Sequence, residues 1–291
     1  MRDFIITTET AADLPKEFCE ENKIGTLSLY YTMDGVTYGP GYDAVQTVED
    51  FYAGMREGSM PKTMQVNPEQ AYSRFKNWLE QGKDILHIAL TSAVSGSYNS
   101  ARLAAEELRE EYPDHKIIVL DSLIGTICEG MLVDKAAQMK KAGKTIDEIV
   151  AWIKENLMHF CLYATVDDLK HLYRGGRVSK TASILGSAIG IKPILHLDET
   201  GNLVPCNKVR GRKQSLNTLV DYMEKLMGSF KEQNDTIYIS HGDCLEDAQY
   251  VANEVSKRFG IKRCIMNFIG PTIGAHAGPG ALALAFMGEK K

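Results

Sequence analysis

The hydrophobic pattern changes most clearly across residues 85–108. Residues 85–90 form a short, mostly apolar run, which is typical of a buried strand. Residues 99–108 then place apolar side chains at helical spacing and consist largely of good helix formers. Between them, residues 91–98 carry small hydroxyl side chains and one glycine. The pattern therefore predicts a strand, a small-residue loop and a helix, in that order.

The loop at residues 91–97 opens a helix at the C-terminal end of a predicted strand. Backbone N–H groups are unpaired at such a point, and the helix dipole is positive there. These two properties together make a place to hold an anion. Serine and threonine are also favoured as ordinary helix N-caps. On its own, the loop fits both interpretations.

The first 158 residues alternate strands with helices. The predicted strands are 3–8, 24–32, 36–38, 85–90 and 116–120, with a DG hairpin turn at 33–35 and a loop at 58–67. The predicted helices begin near residue 15 and cover 48–57, 68–81, 99–108, 127–142 and 146–158, and Asp13 and Thr145 are predicted as caps. This alternation predicts a mostly parallel sheet flanked by helices. Its polar strand ends at 8–10, 91–97 and 121–122 would meet at one edge, where such sheets bind ligands.

Residues 159–291 mix hairpins with crossovers, which favours a mixed sheet. The predicted strands are 161–166, 193–198, 203–209, 236–241 and 262–269, and the predicted helices are 168–173, 180–190, 213–231 and 245–259. The glycine-rich stretch 270–280 is expected to be a loop. We therefore predict an α/β fold with two α/β domains, residues 1–158 and 159–291.

Composition narrows the function classes. The chain has 291 residues, 44% hydrophobic and 24% charged, which is typical of a globular protein with an ample core. A net charge of −5 offers no basic surface for nucleic acid. The six cysteines are scattered without a CxxC pair, so no zinc or other metal site is expected. No signal peptide and no run of 18 apolar residues is found, so we expect a cytoplasmic protein without a membrane span.

Five stretches carry residue combinations that a fold alone rarely requires. They lie at 63–68, 91–98, 174–177, 208–213 and 270–280. In chain order, residues 8–15, 63–68, 92–98, 169–178 and 269–280 resemble the TDSTADLP, TSQPSP, SSGLSGTY, LxxLxKGGRI and IGPVIGTHTGPG segments of the DegV family of bacterial fatty-acid-binding proteins. Five motifs in the same order over almost the whole chain make the resemblance specific.

The chain departs from the family pattern at several positions. Glu9 stands where the family has Asp, and Ala11 where it has a hydroxyl residue. Met64 and Val66 replace Ser and Pro, and Ala277 replaces Thr. We expect these changes to alter the shape of the pocket, and with it the preferred acyl chain.

The resemblance implies a long-chain fatty acid held in a buried tunnel between the two domains. It implies a carrier without catalytic residues or cofactor, which presents the fatty acid carboxylate to a separate ATP-dependent fatty acid kinase subunit. The carboxylate-binding residues that it implies are Thr63, Ser95, Gly96, Arg177 and His276. Hydroxyls, an amide and a guanidinium are groups that a carboxylate needs when it leaves water. A tail of about 16 carbons gains roughly 12 kcal/mol gross at about 0.8 kcal/mol per buried CH₂.

Most of these residues also fit roles in the fold alone. Thr63 fits a turn cap and Arg177 a surface ion pair, whereas His276, between two alanines, has little reason to be a core histidine. A basic patch at Arg210, Arg212 and Lys213 fits either a docking site for the kinase subunit or a solvated face.

Other functions stay open on the sequence alone. One is a hydrolase or acyl-transfer enzyme with Ser95 as nucleophile and His276 as base. Neither a GxSxG motif nor an obvious third residue to orient the histidine accompanies them. Another is a lipid transport or storage protein without a kinase partner, and phosphotransfer on a small carbonyl substrate rests on fold analogy alone. The chain has no GxxxxGK[ST] loop for ATP. A monomer is the default expectation.

Overall fold

The computed structural model describes residues 2–39, 42, 44–167, 169–179 and 190–291. Its strands are β1 (Phe4–Glu9), β2 (Gly25–Leu27), β3 (Tyr30–Met33), β4 (Val36–Tyr38), β5 (Lys62–Met64), β6 (Asp84–Ala89), β7 (Ile117–Asp121), β8 (Phe160–Thr165), β9 (Ile191–Leu197), β10 (Leu203–Arg210), β11 (Thr236–His241), β12 (Arg263–Phe268) and β13 (Leu282–Met287). Its helices are α1 (Lys16–Glu21), α2 (Val48–Arg56), α3 (Pro68–Glu80), α4 (Ser97–Glu111), α5 (Ile127–Lys141), α6 (Ile146–Asn156), α7 (Lys170–Arg174), α8 (Arg212–Leu226), α9 (Leu245–Phe259) and α10 (Pro271–Ala277). The helix predicted at 180–190 lies outside the described residues, except for Gly190.

The first sheet has the order β2-β1-β6-β7, and every neighbouring pair is parallel. This confirms the prediction from the alternation of strands and helices. The single strand predicted at 24–32 is wrong, because β2 belongs to this sheet whereas β3 belongs to another. The strand breaks at Leu29, whose N–H donates to the hydroxyl of Thr10, a residue distant in the chain, at 3.1 Å.

A small antiparallel sheet with the order β4-β3-β5 follows in the chain. Asp34 and Gly35 both have positive φ, 52° and 84°, as a tight type I′ hairpin turn requires, so the DG prediction is confirmed. The loop predicted at 58–67 contains β5, whose Thr63 pairs with Tyr31. Three residues are too few to show the alternation that marks a strand in sequence.

The second large sheet has the order β10-β9-β8-β13-β11-β12. The β11–β12 pair is parallel and the other neighbours are antiparallel, which confirms a mixed sheet. The glycine-rich stretch predicted as a loop instead contains α10. Pro271 occupies the first turn of this helix and Gly278 ends it with a φ of 82°, an arrangement that proline and glycine favour at the two ends of a helix.

Helix α5 lies between the two large sheets. It packs against β1 and β6 of the parallel sheet and against β8, β11 and β13 of the mixed sheet. Its residues 127–134 are all buried, as expected of a helix without a solvent face. The core cluster around it joins residues of both large sheets, so the two halves of the chain share one continuous core. The boundary at residue 158 stays a prediction.

The two predicted helix caps have opposite outcomes. The Thr145 hydroxyl accepts the Glu148 N–H, and the Glu148 side chain accepts the Thr145 N–H in return, so this cap is confirmed. Asp13 does not cap α1, because Pro15 occupies the N-cap position and the Asp13 backbone turns with a φ of 51°. Its carboxylate accepts hydrogen bonds from Thr126 and Gly270 instead, far away in the chain.

Other elements agree with the sequence within a few residues, although the helix predicted at 213–231 ends earlier, at Leu226. All six cysteines are free thiols, and Cys128 and Cys161 are buried. Within the described parts of the chain, no helix has the length and apolar character to cross a membrane.

Glu129 of α5 is fully buried. Its Oε1 atom accepts the Thr8 hydroxyl at 2.7 Å. Burial, reinforced by the nearby carboxylate of Glu9, raises the pKa of Glu129 well above its usual 4.5. The native carboxyl group therefore keeps its proton at pH values where an unfolded glutamate has lost it, and a glutamine resembles the protonated form closely in shape and charge.

We expect Glu129→Gln to change the free energy of unfolding by less than about 1 kcal/mol at pH 5. Above about pH 4.5 the unfolded chain has lost the Glu129 proton that the native state keeps, so wild-type stability falls as the pH rises, and the variant lacks this contribution. Urea denaturation of both proteins from pH 5 to pH 8 checks the sign. A wild type that gains stability over the variant with rising pH would contradict this protonation state.

Candidate functional site

A cavity of about 220 Å³ lies between the parallel and mixed sheets. One of its walls is a face of the mixed sheet. Leu162, Ala164 and Val166 follow one another at every second position along and just beyond β8, and Leu195 and Leu197 do so on β9. Side chains two residues apart lie on the same face of a strand. This face gives the cavity a largely apolar wall.

All five predicted carboxylate-binding residues line this one cavity. They are Thr63, Ser95, Gly96, Arg177 and His276. They come from four separate stretches of the chain: β5, the loop before α4, the segment after α7, and α10. We call this set the polar mouth. The structure brings the five residues together, and their role in holding a carboxylate stays a prediction.

Thr63 and His276 meet across the polar mouth. The Thr63 hydroxyl and His276 Nε2 share a hydrogen bond of 2.8 Å. The other side of the imidazole packs on Gly175, where an added Cβ would come within 2.0 Å of Nδ1. The glycine that precedes Gly176-Arg177 therefore makes room for the histidine ring.

Ser95 and Gly96 form the start of α4. The Ser95 hydroxyl accepts the Ser97 N–H at 3.2 Å and donates to the Ser97 hydroxyl at 3.0 Å. Gly96 is the N-cap residue, and an added Cβ there would lie 2.0 Å from the Gln65 side-chain oxygen. The loop therefore acts as a local cap and also lines the cavity at a positive helix end.

Arg177 supplies positive charge to the polar mouth. Its Nε donates to the Val94 carbonyl at 3.1 Å, and its Nη1 donates to the Gly175 carbonyl. These acceptors are uncharged, so they orient the guanidinium without neutralising it. Burial, together with the positive charges of Arg177 and Arg174, lowers the pKa of His276 to about 4. The imidazole is therefore neutral at pH 7.

The polar strand ends meet at one edge of the parallel sheet, as predicted. The Leu90 N–H donates to Glu9 Oε2 at 3.3 Å, and the Ser92 N–H donates to Asp121 Oδ1 at 3.1 Å. Asp121 also accepts the Leu123 N–H, which fits a strand-end cap. This edge forms the cavity's second wall, through Leu90 and neighbouring residues.

The predicted basic patch includes one arginine whose charge is paired within the fold. Arg212 forms an ion pair with Asp247 at 2.7 Å. The Lys213 ammonium lies 5.8 Å from the centroid of the Tyr250 ring, and both Lys213 and Arg210 are exposed. Among the residues that the structure describes, Arg210 and Lys213 have no acidic partner and are available for docking, whereas the charge of Arg212 is compensated within the fold.

Two features of the site escaped the sequence analysis. Arg174 lies close enough to His276 to lower its pKa, and its Nη2 reaches the Ala275 carbonyl at 3.5 Å. Its signal was the first arginine of the Arg174-Gly-Gly-Arg177 segment. The apolar wall also had a signal, the apolar residues at every second position at 162, 164 and 166. No group of side chains suited to a metal ion occurs in the described ranges.

The family of the chain follows from its similarity to known proteins. An α/β fold with an apolar cavity and a polar mouth has the features typical of a small-molecule site. The family model described as "Uncharacterised protein, DegV family" matches residues 3–289. A DegV domain-containing protein of Clostridium perfringens is 43% identical over 100% of this chain and 99% of its own length. The chain therefore belongs to the DegV family.

Solved structures of the family share the fold. A stearic-acid-binding protein from Eubacterium ventriosum has a TM-score of 0.88 at 25% identity, covering 98% of each chain. DegV from Bacillus subtilis, described as a fatty-acid-binding protein, has a TM-score of 0.84 at 25% identity, covering 99% of this chain and 100% of its own. Both agree with the predicted fold class.

We expect Arg177→Gln to raise the pKa of His276 toward its ordinary value of 6.5, because a positive charge beside the ring is removed. A pH titration of the His276 resonances by NMR measures this. His276→Gln assigns the signals, and Arg212→Gln serves as a control away from the ring. In wild type the lowered pKa means that stability is lost as the pH falls from 6.5 toward 4. An unchanged titration in Arg177→Gln would rule out this electrostatic contact.

Proposed function

We propose that this protein binds a long-chain fatty acid, with the carboxylate at the polar mouth and the acyl tail along the apolar wall of the cavity. The proposal rests on one observation: the polar mouth and the apolar wall line the same cavity. The fatty acids bound by its structural relatives support the same ligand class.

The groups at the polar mouth suit a carboxylate. Arg177 offers a positive charge, and the hydroxyls of Thr63 and Ser95 offer hydrogen-bond donors. With the proton of His276 on Nε2, the Thr63 hydroxyl accepts from the ring and directs its own hydrogen to the ligand. A neutral histidine thus fixes the direction of the Thr63 hydroxyl without adding charge.

The apolar wall suits the tail. Each buried CH₂ group contributes about 0.8 kcal/mol, so a tail of about 16 carbons gains roughly 12 kcal/mol before ordering costs. Tail burial supplies most of the affinity in this proposal, and the polar mouth sets the direction in which the chain enters.

Loss of the two mouth hydroxyls should reduce binding strongly. Thr63→Ala/Ser95→Ala removes about two hydrogen bonds to a charged group, about 3 kcal/mol together or about 100-fold in affinity. Mass spectrometry of an organic extract from each purified protein measures the bound lipid. We expect a stoichiometric fatty acid in wild type and depletion in the double variant.

Two controls sharpen this experiment. Lys16→Glu, on the exposed surface of α1, should retain the lipid. Palmitic acid added to delipidated wild type should raise its melting temperature, because the ligand binds only the native state. A wild type that carries no fatty acid and gains no stability from palmitic acid would overturn the proposal.

We further propose that the protein acts as a monomeric carrier in the cytoplasm and presents the carboxylate to a separate ATP-dependent kinase subunit. Met64 supports access to the carboxylate, because it lines the cavity next to Thr63 while 40% of its surface is exposed. The free cations Arg210 and Lys213 are our candidates for docking an acidic surface of the kinase.

Charge reversal at these two positions should slow the kinase reaction. We expect Arg210→Glu/Lys213→Glu to lower kcat/KM for acyl phosphate formation about tenfold when the kinase subunit of the same organism and ATP are added. Fatty acid content should stay unchanged, and Lys16→Glu provides a control for a single charge reversal elsewhere on the surface. Equal rates for all three proteins would remove this surface from the docking site.

The hydrolase alternative gains no support from the geometry. The Ser95 hydroxyl donates to Ser97 and His276 Nε2 bonds Thr63, so neither hydrogen bond links the proposed nucleophile to its base. Turnover of acyl esters by the isolated protein would favour this alternative over a carrier.

A further inference from the structure

Asp13 connects three distant parts of the chain near the cavity. It follows β1 and is buried, with 4% of its surface exposed. Its Oδ1 atom accepts the Gly270 N–H at 2.9 Å, and its Oδ2 atom accepts the Thr126 hydroxyl. Its backbone carbonyl accepts from Asn267 Nδ2 at 3.1 Å. One residue thus ties the parallel sheet to the start of α5 and to the start of α10.

The bond to Thr126 holds a strained residue of the cavity wall. Thr126 lines the cavity and has φ 51° and ψ −146°, a conformation that residues with a side chain rarely adopt. Such a backbone persists only where its surroundings determine it fully. The Thr126 hydroxyl also shares a hydrogen bond of 2.8 Å with Ser240. Asp13 and Ser240 together hold this hydroxyl from both large sheets.

The bond to Gly270 holds the first residue of the helix that carries His276. Gly270 is the N-cap of α10, and a Cβ there would lie 3.3 Å from Asp13 Oδ1. A carboxylate at this end of a helix is also favoured by the helix dipole. On the neighbouring residue, the Ile269 carbonyl accepts the Tyr52 hydroxyl at 2.7 Å. His276 follows one and a half turns later on the same short helix.

We propose that Asp13 is a positioning residue of the ligand site: it sets the cavity wall through Thr126 and the place of His276 through Gly270. The ligand part of this inference rests on the proposed function, whereas the position of His276 can be measured without any ligand. Asp13 itself lies outside the cavity lining, so its effect on binding is indirect.

The test compares Asp13→Ala with Asp13→Asn in delipidated protein. The alanine removes both accepted hydrogen bonds, and the asparagine keeps a side-chain oxygen for the Gly270 N–H. We expect Asp13→Ala to shift the His276 imidazole resonances and to weaken palmitic acid binding about tenfold or more. Asp13→Asn should recover most of both effects. Isothermal titration calorimetry and NMR supply the two readouts.

Asp134 provides a matched control for lost stability. It is another buried carboxylate, on α5, and it accepts the Tyr238 hydroxyl within the core. Asp134→Ala should lower the melting temperature yet leave the His276 resonances and the affinity for palmitic acid unchanged. If Asp13→Ala fails to fold, Thr126→Val removes one partner hydroxyl at constant shape and should shift both readouts, whereas Thr126→Ser should not.

The outcomes separate this inference from the proposed function. His276 resonances that stay in place in Asp13→Ala, or that move equally in Asp134→Ala, would overturn the positioning role. A wild type that fails to bind palmitic acid would overturn the proposed function, and the resonances would still decide the role of Asp13.

Discussion

The burial of α5 is the constraint on which the rest of the structure depends. Over residues 127–134 this helix has no solvent face, and both large sheets cover it there, one from each side. The sheets are therefore held at a fixed separation. Where α5 begins, at Thr126, the space between them is no longer filled by the helix. The cavity occupies this space, so the ligand site is a consequence of how the halves pack.

The polar mouth places a positive charge inside a largely apolar interior. Arg177 keeps its charge because carbonyl oxygens, rather than carboxylates, orient it. His276 avoids a second positive charge because burial and its arginine neighbours keep it neutral. Among the described residues that line the cavity, Arg177 is the only cation, and with neutral donors around it this matches a ligand with a single negative charge.

The fold class could be predicted from sequence because it depends on repeated local patterns. Alternating strands and helices predicted the parallel sheet, and hairpins predicted the mixed one. The errors fall where a distant partner decides the local structure. Leu29 leaves its strand to donate to Thr10, and Asp13 turns away from α1 toward Thr126 and Gly270. Neither contact has a signal in the neighbouring sequence.

Part of the candidate site could also be predicted from the sequence, and part could not. Its five residues could be nominated because their motifs resemble those of the DegV family, although the structure was needed to show that four chain segments converge. The helix at 271–277 was hidden by its glycines, which suggested a loop. The wall was hidden for another reason, because alternating apolar residues on β8 look the same whether they face a core or a cavity.

Gly96 and Gly175 shape the polar mouth because neither has a side chain. At each position even a methyl group would occupy the space of a polar partner, Gln65 in one case and His276 in the other. The absence of a side chain at these two positions therefore contributes to the shape of the polar mouth. A substitution at either one would displace Gln65 or His276, although a glycine itself has no side chain that could touch a ligand.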